Sequence, residues 1–386
     1  MALDKEQYRI FEHISDVDIS EQDIWDYEPD VLNKLLIDHT MSARARAEAN
    51  DQTKFVNIFW ATNDYDDQRE GDAKDGYRYD DQIMPEKIIG QNGRVIMPRV
   101  LKDKQLQIDR TKDKAEVFTP SWVCNAQNNL IDEAWFGHKD VFNREVVNED
   151  GTHTWIPTEG NIEFPEGDKQ KTWKKYVSEN RLEITCGEAP YLVSRYDTTT
   201  GESIPLHNRI GLLDRKLRVV SENTTDTKDW LNWARKAYMS TYGYEWQGDN
   251  LLLAREALLY TFIEYYKDKF PNETLKRSSV VGIARIISWN LWQMDGIKMV
   301  VPDSCDKVVI QTLFGEEKQE CLACKNGTTL GHIGVHCLIR DWTLKKPEGY
   351  QFKPGEDPDS QPWQKIEFQT LLHSQNRTEQ EDEEDE

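Results

Sequence analysis

The sequence has no long apolar run. Nowhere in its 386 residues is there a stretch near the roughly 20 apolar residues that a membrane-spanning helix needs. The N-terminal sequence MALDKEQ also lacks the charged and then apolar layout of a secretory signal peptide. We therefore expect a cytoplasmic protein without a membrane span.

Positive charge is in deficit. The chain has 48 Lys and Arg residues against 70 Asp and Glu residues, a formal net charge of -22 at pH 7. A protein that binds DNA phosphates by itself needs a basic stripe on its surface. We therefore expect any DNA contact to be made mainly by another subunit. A second interpretation is that the acidic balance serves solubility alone.

The acidic residues are concentrated in a block only at the C-terminus. Residues 346–386 are predicted to form a C-terminal extension that ends in a disordered tail, RTEQEDEEDE. The charge also allows an anti-restriction or DNA-mimic protein. That class is disfavoured because the acids before the tail are interspersed with Lys and Arg.

Aromatic residues are plentiful. Hydrophobic residues make up only 38% of the chain, but 13 Trp, 15 Tyr and 12 Phe are present. Each aromatic side chain supplies a large apolar area, which offsets the low mean hydropathy of -0.77. The composition predicts an ordered body of about one to three domains.

The first 110 residues are predicted to form an α+β region. Apolar residues at helical spacing between 31 and 36 predict a helix. Alternating aromatic and branched residues over 55–62 predict a strand, and a polar loop follows it. A Gln-Asn-Gly turn within 88–100 predicts a β-hairpin.

Residues 111–304 are predicted to form an α/β core. Strands that alternate with helices predict a parallel sheet covered on both faces. Helical patterns begin at 121 and cover 228–240, 248–268 and 278–287, while strand patterns lie at 181–186, 242–245 and just after 288.

A turn and two acids in this core favour a nucleoside cofactor. In Rossmann-like folds the cofactor lies across the carboxyl ends of the strands, beside a glycine turn and an acid that binds ribose. We predict that Glu183, Gly187 and Ala189 form the turn, that Glu245 binds ribose and that Asp295 accepts a hydrogen bond from the adenine amino group. Each feature alone is also compatible with ordinary structure, because tight turns need glycine and acids often begin helices.

Five segments give the chain a family resemblance: FTPSWVCNAQNNLIDEAWF, EITCGEAPYLVSRYDT, RIGLLDRKLRVV, YGYEWQGDNLLLARE and SWNLWQMDG. In these segments the chain resembles bacterial proteins described as subunit M of restriction endonucleases. The resemblance implies a Rossmann-like, class I methyltransferase core that binds S-adenosylmethionine. Its segments follow the gamma-type order of adenine-N6 DNA methyltransferases.

The resemblance also implies a set of residues that bind the methyl donor: Phe118, Thr119, Pro120, Glu183, Cys186, Gly187, Glu245 and Asp295. The first three would lie against the donor, and the next three would form the loop beside its amino-acid portion. The chain departs from the family pattern at Ala189, where a second glycine is usual. Pro190 follows and stiffens the loop.

Two adjacent prolines occur nowhere in the chain. Adenine methyltransferases hold the flipped base with a tetrapeptide of Asn, Asp or Ser, two prolines and an aromatic residue. Without this element the target nitrogen is not aligned with the donor, so we expect no methylation by the chain alone. The chain is therefore predicted to be the donor-binding subunit of a split DNA adenine methyltransferase, whose partner supplies the Pro-Pro loop. The alternative is a non-catalytic scaffold with the same fold.

Four of the six cysteines are grouped within a predicted insert at 305–345: Cys305, Cys321, Cys324 and Cys337. Their spacing favours a metal site over a disulfide framework. Zinc prefers four such ligands in a tetrahedron, and the sequence offers His332 or His336 as substitutes for Cys305. The alternative is a set of reduced, half-buried cysteines.

Two further features are predicted to be architectural. Arg215, Lys216 and Arg218 form a basic spot, interpreted as a solvated helix face or, as a second choice, a partner interface. Trp289 and Trp292 are predicted to lie in the core, with a position in the wall of the donor pocket as the alternative for one of them.

Overall fold

A computed structural model describes residues 17–102 except 68, 119–349 except 314, residue 351 and residues 361–371. The predictions for Phe118 and for the acidic tail lie outside these residues. The chain divides into two compact units, and each is discontinuous in sequence. The first unit takes its residues from 1–36, 84–243 and 249–291, and the second from 37–83, 244–248 and 292–386.

The α-helices of the described residues are α1 (Glu21–Tyr27), α2 (Pro29–Leu36), α3 (His39–Ala49), α4 (Ser121–Phe136), α5 (Trp173–Ser178), α6 (Leu212–Asn223), α7 (Thr227–Met239), α8 (Gly248–Lys269), α9 (Arg277–Asn290) and α10 (Leu322–Asn326). Several begin at a side-chain cap. Ser20 accepts a hydrogen bond from the N–H of Asp23, and Asp226 accepts one from the N–H of Asp229. Such caps satisfy N–H groups that have no partner within the helix.

The strands are β1 (Asn143–Val147), β2 (His153–Pro157), β3 (Arg181–Glu183), β4 (Thr241–Glu245), β5 (Leu291–Gln293), β6 (Val309–Thr312), β7 (Gly315–Lys318), β8 (Leu338–Arg340) and β9 (Lys365–Glu367). They form three two-stranded sheets, β1-β2, β6-β7 and β8-β9, and one three-stranded sheet in the order β3-β4-β5. Strands β3 and β4 run parallel, with Glu183 opposite Gly243.

The first unit is built mainly from helices. Helix α9 packs against α2 and α7, and α6 packs against α5 and α7. The 251–263 segment of α8 is buried throughout, because its apolar residues cover most of the helix circumference. Arg255 within it donates hydrogen bonds to the carbonyls of Leu35 and Leu291. This arginine therefore joins the ends of α2 and α9 to the central helix.

The predicted mixture of helices and strands is confirmed. Helices α6 and α7 lie between β3 and β4 in the chain, and α8 and α9 lie between β4 and β5. Among the described residues, however, the sheet has three short strands. A complete Rossmann-like core is not observed there.

The predicted strand over 55–62 is wrong. Asn57 and Phe59 make isolated bridges only, to Ile37 and Gln82. The carbonyl of Val56 accepts from the N–H of Asp38, but the N–H of Val56 donates to the Ser42 hydroxyl instead of to a backbone carbonyl, so the bridge does not extend into a ladder there.

The predicted hairpin over 88–100 is also wrong. Its Gln-Asn-Gly sequence lies in a 3₁₀ helix, Gly90–Asn92, closed by a hydrogen bond from the N–H of Gly93 to the carbonyl of Gly90. A second 3₁₀ helix, Arg99–Leu101, ends the segment. Consecutive i to i+3 hydrogen bonds take the place of a two-stranded ladder.

The basic spot on α6 is not solvated. Arg215 and Lys216 are each 1% exposed. Arg215 donates to the Asp132 carboxylate at 2.5 Å, whereas Lys216 is held by backbone and hydroxyl oxygens. The prediction was wrong because buried acceptors satisfy these cations. The prediction that Trp289 and Trp292 are buried is confirmed.

Candidate metal centre

Four side chains of the second unit converge on one point. They are Cys305, Cys321, Cys324 and His332, and their sulfur and nitrogen atoms all lie within 4.8 Å of one another. Cys305 and Cys321 also pack into a small apolar cluster with Val300. Such a group of three thiols and one imidazole could hold a metal ion.

The distances fit tetrahedral coordination. His332 Nδ1 lies 3.8 Å from the Sγ of Cys305, 3.7 Å from that of Cys321 and 3.4 Å from that of Cys324. Zinc bonds of about 2.3 Å to sulfur and about 2.0 Å to nitrogen place these atoms about 3.5 Å apart in a tetrahedron. The four ligand atoms therefore already surround a space of the right size.

Helix α10 positions two of the thiols. Cys321 is its N-cap residue and is buried, while Cys324 lies one turn later and is exposed. Burial alone would raise the pKa of Cys321, but hydrogen bonds from the backbone N–H groups of Cys324 and Ile333 lower it to about 6. Backbone donors that favour a thiolate also favour metal binding, because the thiolate is the ligand.

The turn after α10 positions the imidazole. Gly327 ends the helix with a φ of 66°, and the chain then reverses through Thr328. The Thr328 carbonyl accepts a hydrogen bond from His332 Nε2 at 2.8 Å. A carbonyl can only accept, so Nε2 carries the proton and Nδ1 is free to bind a metal.

Close backbone contact positions Cys305. A Cβ on Gly334 would lie 2.5 Å from Ser304 Oγ and 3.0 Å from Cys305 Sγ, so only glycine fits there. The N–H of Val335 donates to Ser304 Oγ at 2.9 Å. Burial raises the pKa of the Cys305 thiol to about 12. A bound cation would offset this effect by stabilising the thiolate.

Cys337 is not part of this group, which corrects the predicted ligand set. It is fully buried, and its Sγ donates to the carbonyl of Gln293 at 3.5 Å. Burial raises its pKa well above the usual value. His332, one of the two predicted substitutes, completes the group, whereas the backbone of His336 pairs with Val300. Spacing alone suggested Cys337, but packing holds it elsewhere.

Three predicted donor-binding residues of the first unit have local structural roles. The Thr119 carbonyl accepts hydrogen bonds from Cys124 Sγ and from the Thr198 hydroxyl, and Pro120 is the N-cap residue of α4. The Glu183 carboxylate accepts from the N–H groups of Tyr191 and Leu192 at 3.2 and 3.1 Å. Glu183 therefore fastens the end of β3 to the chain that follows.

The loop after β3 has an unusual backbone. Thr185, Gly187 and Ala189 have positive φ values of 45°, 52° and 61°, and the residues between them do not. Cys186 is buried, and a Cβ on Gly243 would lie 3.4 Å from its sulfur. Left-handed backbone at Thr and Ala stores strain of the kind that often marks functional loops.

The remaining predicted donor residues belong to the second unit. The Glu245 carboxylate accepts from the N–H of Gln247 at 3.3 Å. Asp295 accepts from the N–H groups of Ile297 and Lys298, and its second oxygen pairs with the Lys298 ammonium at 3.2 Å. Asp295 thus closes a turn with the residues that follow it. This favours an ordinary structural role for Asp295 over the binding of adenine.

A cleft of about 750 Å³ opens in the first unit. Its walls come from α6, from the end of α8 and from residues 156–161, which include the end of β2 and the chain after it. None of the predicted donor-binding residues lines it. Sequence motifs gave no signal for this cleft, because its lining residues are scattered along the chain.

No protein-family model, no curated protein and no solved structure matches the chain. Among the described residues, no helix combines the length and the apolar character needed to cross a bilayer.

Proposed function

We propose that Cys305, Cys321, Cys324 and His332 bind one zinc ion with a structural role. The tetrahedral match of the sulfur-to-nitrogen distances, 3.4 to 3.8 Å, carries this proposal. Four protein ligands fill the coordination of zinc and leave no open position for a substrate or water. The centre therefore stabilises structure instead of performing a reaction.

The ion would join three short segments that have little core of their own. These are the 3₁₀ helix Ser304–Lys307, helix α10 and the extended chain from 331 to 337. Burial alone would lower the pKa of Lys298, but Asp295 raises it, and Cys324 and Cys305 lie close enough to add to this rise. Three thiolates and a divalent ion carry one net negative charge, which this ammonium balances.

Metal analysis tests the proposal. We expect about one zinc per chain in the wild-type protein, and strong loss in Cys321→Ser and His332→Ala. Cys337→Ser is the matched control, because Cys337 is equally buried but lies outside the group. Zinc-free wild-type protein, or equal loss in Cys337→Ser, would contradict the assignment.

We also propose that the chain is the S-adenosylmethionine-binding subunit of a split DNA adenine methyltransferase. The observation that favours this function is the strained 185–189 loop at the carboxyl end of β3, beside a parallel strand. Loops at this position approach nucleoside cofactors in open α/β sheets.

The chain's own residues limit its part in this reaction. The Glu183 carboxylate already bonds two N–H groups, so its role is to hold the loop. With no Pro-Pro element, the base clamp would come from a partner subunit that also provides the basic DNA surface. The second candidate is a scaffold of the same fold without donor binding.

Calorimetric titration with S-adenosylmethionine distinguishes these two functions. The donor-binding subunit should bind saturably, and Gly187→Val should abolish binding because valine does not tolerate a φ of 52°. Gly151→Val is the matched control, since Gly151 also has a positive φ but lies in the β1–β2 turn. Absence of saturable binding by the wild-type chain would leave the scaffold.

A further inference from the structure

Cys324 differs from the other cysteines of the chain in its exposure. All six cysteines lie among the described residues, and five of them are buried whereas Cys324 is exposed. A thiol-reactive molecule in solution therefore reaches Cys324 before any other cysteine. The reactivity of a cysteine follows its access to solvent and its thiolate character. A zinc ion in the proposed centre would hold Cys324 as a thiolate.

The nearest partners for Cys324 are two other thiols. The sulfur atoms of Cys305, Cys321 and Cys324 all lie within 4.8 Å of one another. A disulfide holds its sulfur atoms about 2 Å apart, so a movement of a few ångströms joins two of these thiols. An oxidised Cys324 thus has two candidate partners, Cys321 and Cys305.

Cys321 is the partner with room to move. It is the N-cap residue of α10 and has an extended backbone, and Cys324 lies one turn later on the same helix. The two cysteines form a Cys-x-x-Cys pair, the spacing that disulfide oxidoreductases use. A disulfide between them closes within a single helical turn.

Cys305 is held in place by the packing around it. It is 2% exposed, and a Cβ on Gly334 would lie 3.0 Å from its Sγ. The neighbouring Ser304 hydroxyl accepts a hydrogen bond from the N–H of Val335 at 2.9 Å, which fixes this close approach of two backbone segments. A disulfide to Cys305 would require these packed segments to shift, so Cys321 is the favoured partner.

We propose that Cys324 is a site of oxidation by a hydroperoxide, and that Cys321 then closes a disulfide with it and frees the metal. With hydrogen peroxide, the Cys324 thiolate attacks one oxygen, the O–O bond breaks, and a sulfenic acid and hydroxide form. The Cys321 thiolate then attacks this sulfur and displaces a second hydroxide. The two sulfur atoms together supply the two electrons that reduce the peroxide. Only the release of metal rests on the proposed zinc centre.

The disulfide removes half of the ligand set. The sulfur atoms of a disulfide are no longer thiolates, and the thiolate is the form that binds metal. Cys305 and His332 would remain, and two ligands are too few for a structural zinc site. The three segments that the ion joins would then lose their common attachment. A reducing thiol would regenerate both thiolates, so the change is reversible.

Peroxide treatment of the purified full chain tests the proposal through two readouts. A zinc-sensitive dye follows the release of metal, and digestion with trypsin, which cleaves after Lys and Arg, maps the cysteines. Cys321 and Cys324 lie in one tryptic peptide, residues 319–325, and Cys305 lies in another. We expect about one zinc released for every two thiols lost, and a peptide 319–325 that is lighter by two hydrogen atoms. A reducing thiol should restore the mass of this peptide.

Two variants with four ligands separate the exposed thiol from the metal site. Cys324→His removes this thiol and should retain zinc. It should release the metal at least about tenfold more slowly in peroxide, because the remaining thiols are buried. His332→Cys keeps the Cys321–Cys324 pair and should release zinc as the wild type does. If Cys324→His does not fold, the peptide map of the wild-type chain decides.

Three results would overturn the proposal. They are zinc release without a disulfide inside peptide 319–325, a disulfide from this peptide to Cys305, and a Cys324 thiol that stays reduced in excess peroxide. A wild-type chain that contains no zinc but still closes the Cys321–Cys324 disulfide would refute the zinc centre and the metal release, and would support the oxidation site.

Discussion

His332 donates from Nε2 to the Thr328 carbonyl at 2.8 Å. This one hydrogen bond fixes the ring so that Nδ1 faces three thiols. Histidines that bind metals commonly use their second nitrogen in this way, which orients the ring and raises the basicity of the ligand atom. The hydrogen bond between His332 and Thr328 therefore orients His332 as a candidate ligand beside the three cysteines.

Chelation should destabilise the chain. We expect EDTA to lower the midpoint of thermal unfolding by at least about 5 °C, because a structural zinc contributes several kcal/mol. Without chelator, Cys305→Ser should already unfold at the lower midpoint that the wild type has in EDTA, and EDTA should not lower it further. His332→Cys keeps four ligands, so EDTA should lower its unfolding midpoint as it does that of the wild type. Calorimetry with and without chelator measures all three, and a wild-type midpoint that EDTA does not move would contradict the prediction.

Lys216 should be needed for stability. Its ammonium donates to the Glu179 carbonyl at 2.6 Å and to the carbonyl and hydroxyl of Ser240 at 3.0 and 2.8 Å. Lys216→Met would leave these acceptors buried without a donor and should cost about 3 to 5 kcal/mol of unfolding free energy. Lys175→Met, on an exposed position of α5, should be nearly neutral. Urea denaturation gives both values, and equal effects would show that the buried contacts contribute little.

Two buried carboxyl groups should make stability fall at alkaline pH. Glu21 on α1 and Glu256 on α8 are 2% and 0% exposed, and no group among the described residues donates a hydrogen bond to either carboxylate oxygen of Glu256. Burial raises the pKa of Glu21 to about 8 and that of Glu256 well above its usual value, and the nearby Asp18 charge adds to both effects. A carboxyl pKa that is higher in the folded state means that the native state holds more protons. The contribution of these two groups to stability is therefore fully present below about pH 4.5, the ordinary pKa, and is lost as pH rises to 8 and beyond.

Glu256→Gln tests this pH dependence. The variant should gain about 1 to 3 kcal/mol relative to wild type between pH 5 and pH 9, because glutamine cannot ionise. Glu273→Gln, at an exposed position, should gain nothing. Denaturation curves at the two pH values provide the comparison. A constant difference between Glu256→Gln and wild type would show that Glu256 does not titrate in this range.

The strain in the β3 loop should be measurable. Thr185 is exposed and has a φ of 45°, which is unfavourable for a β-branched residue. Thr185→Gly should stabilise the chain by about 1 kcal/mol, since glycine adopts left-handed backbone without a steric cost. Thr225→Gly, at an exposed position without positive φ, should destabilise it slightly. Equilibrium unfolding measures the free energy of unfolding of both variants. Destabilisation by Thr185→Gly would show that this backbone is not strained.

The sequence predicted the elements with strong periodicity. Helices α4, α7, α8 and α9 and strand β4 lie close to their predicted bounds, because apolar residues recur there at the period of the structure. The segments at 55–62 and 88–100 show the limit of this approach. Their patterns suit a strand or a hairpin, but local hydrogen bonds from a serine side chain and from 3₁₀ turns satisfy the backbone differently.

The sequence by itself determined that a metal site would need the grouped cysteines, since only these thiols are close enough along the chain. Only the tertiary structure decided that His332 joins Cys305, Cys321 and Cys324 while Cys337 is buried against Gln293. It likewise decided that Arg215 and Lys216 lie in the interior. Spacing records the distance along the chain, whereas ligation and burial depend on which segments the fold brings together. For this reason the type of chemistry was readable from the residues, and the ligand set was not.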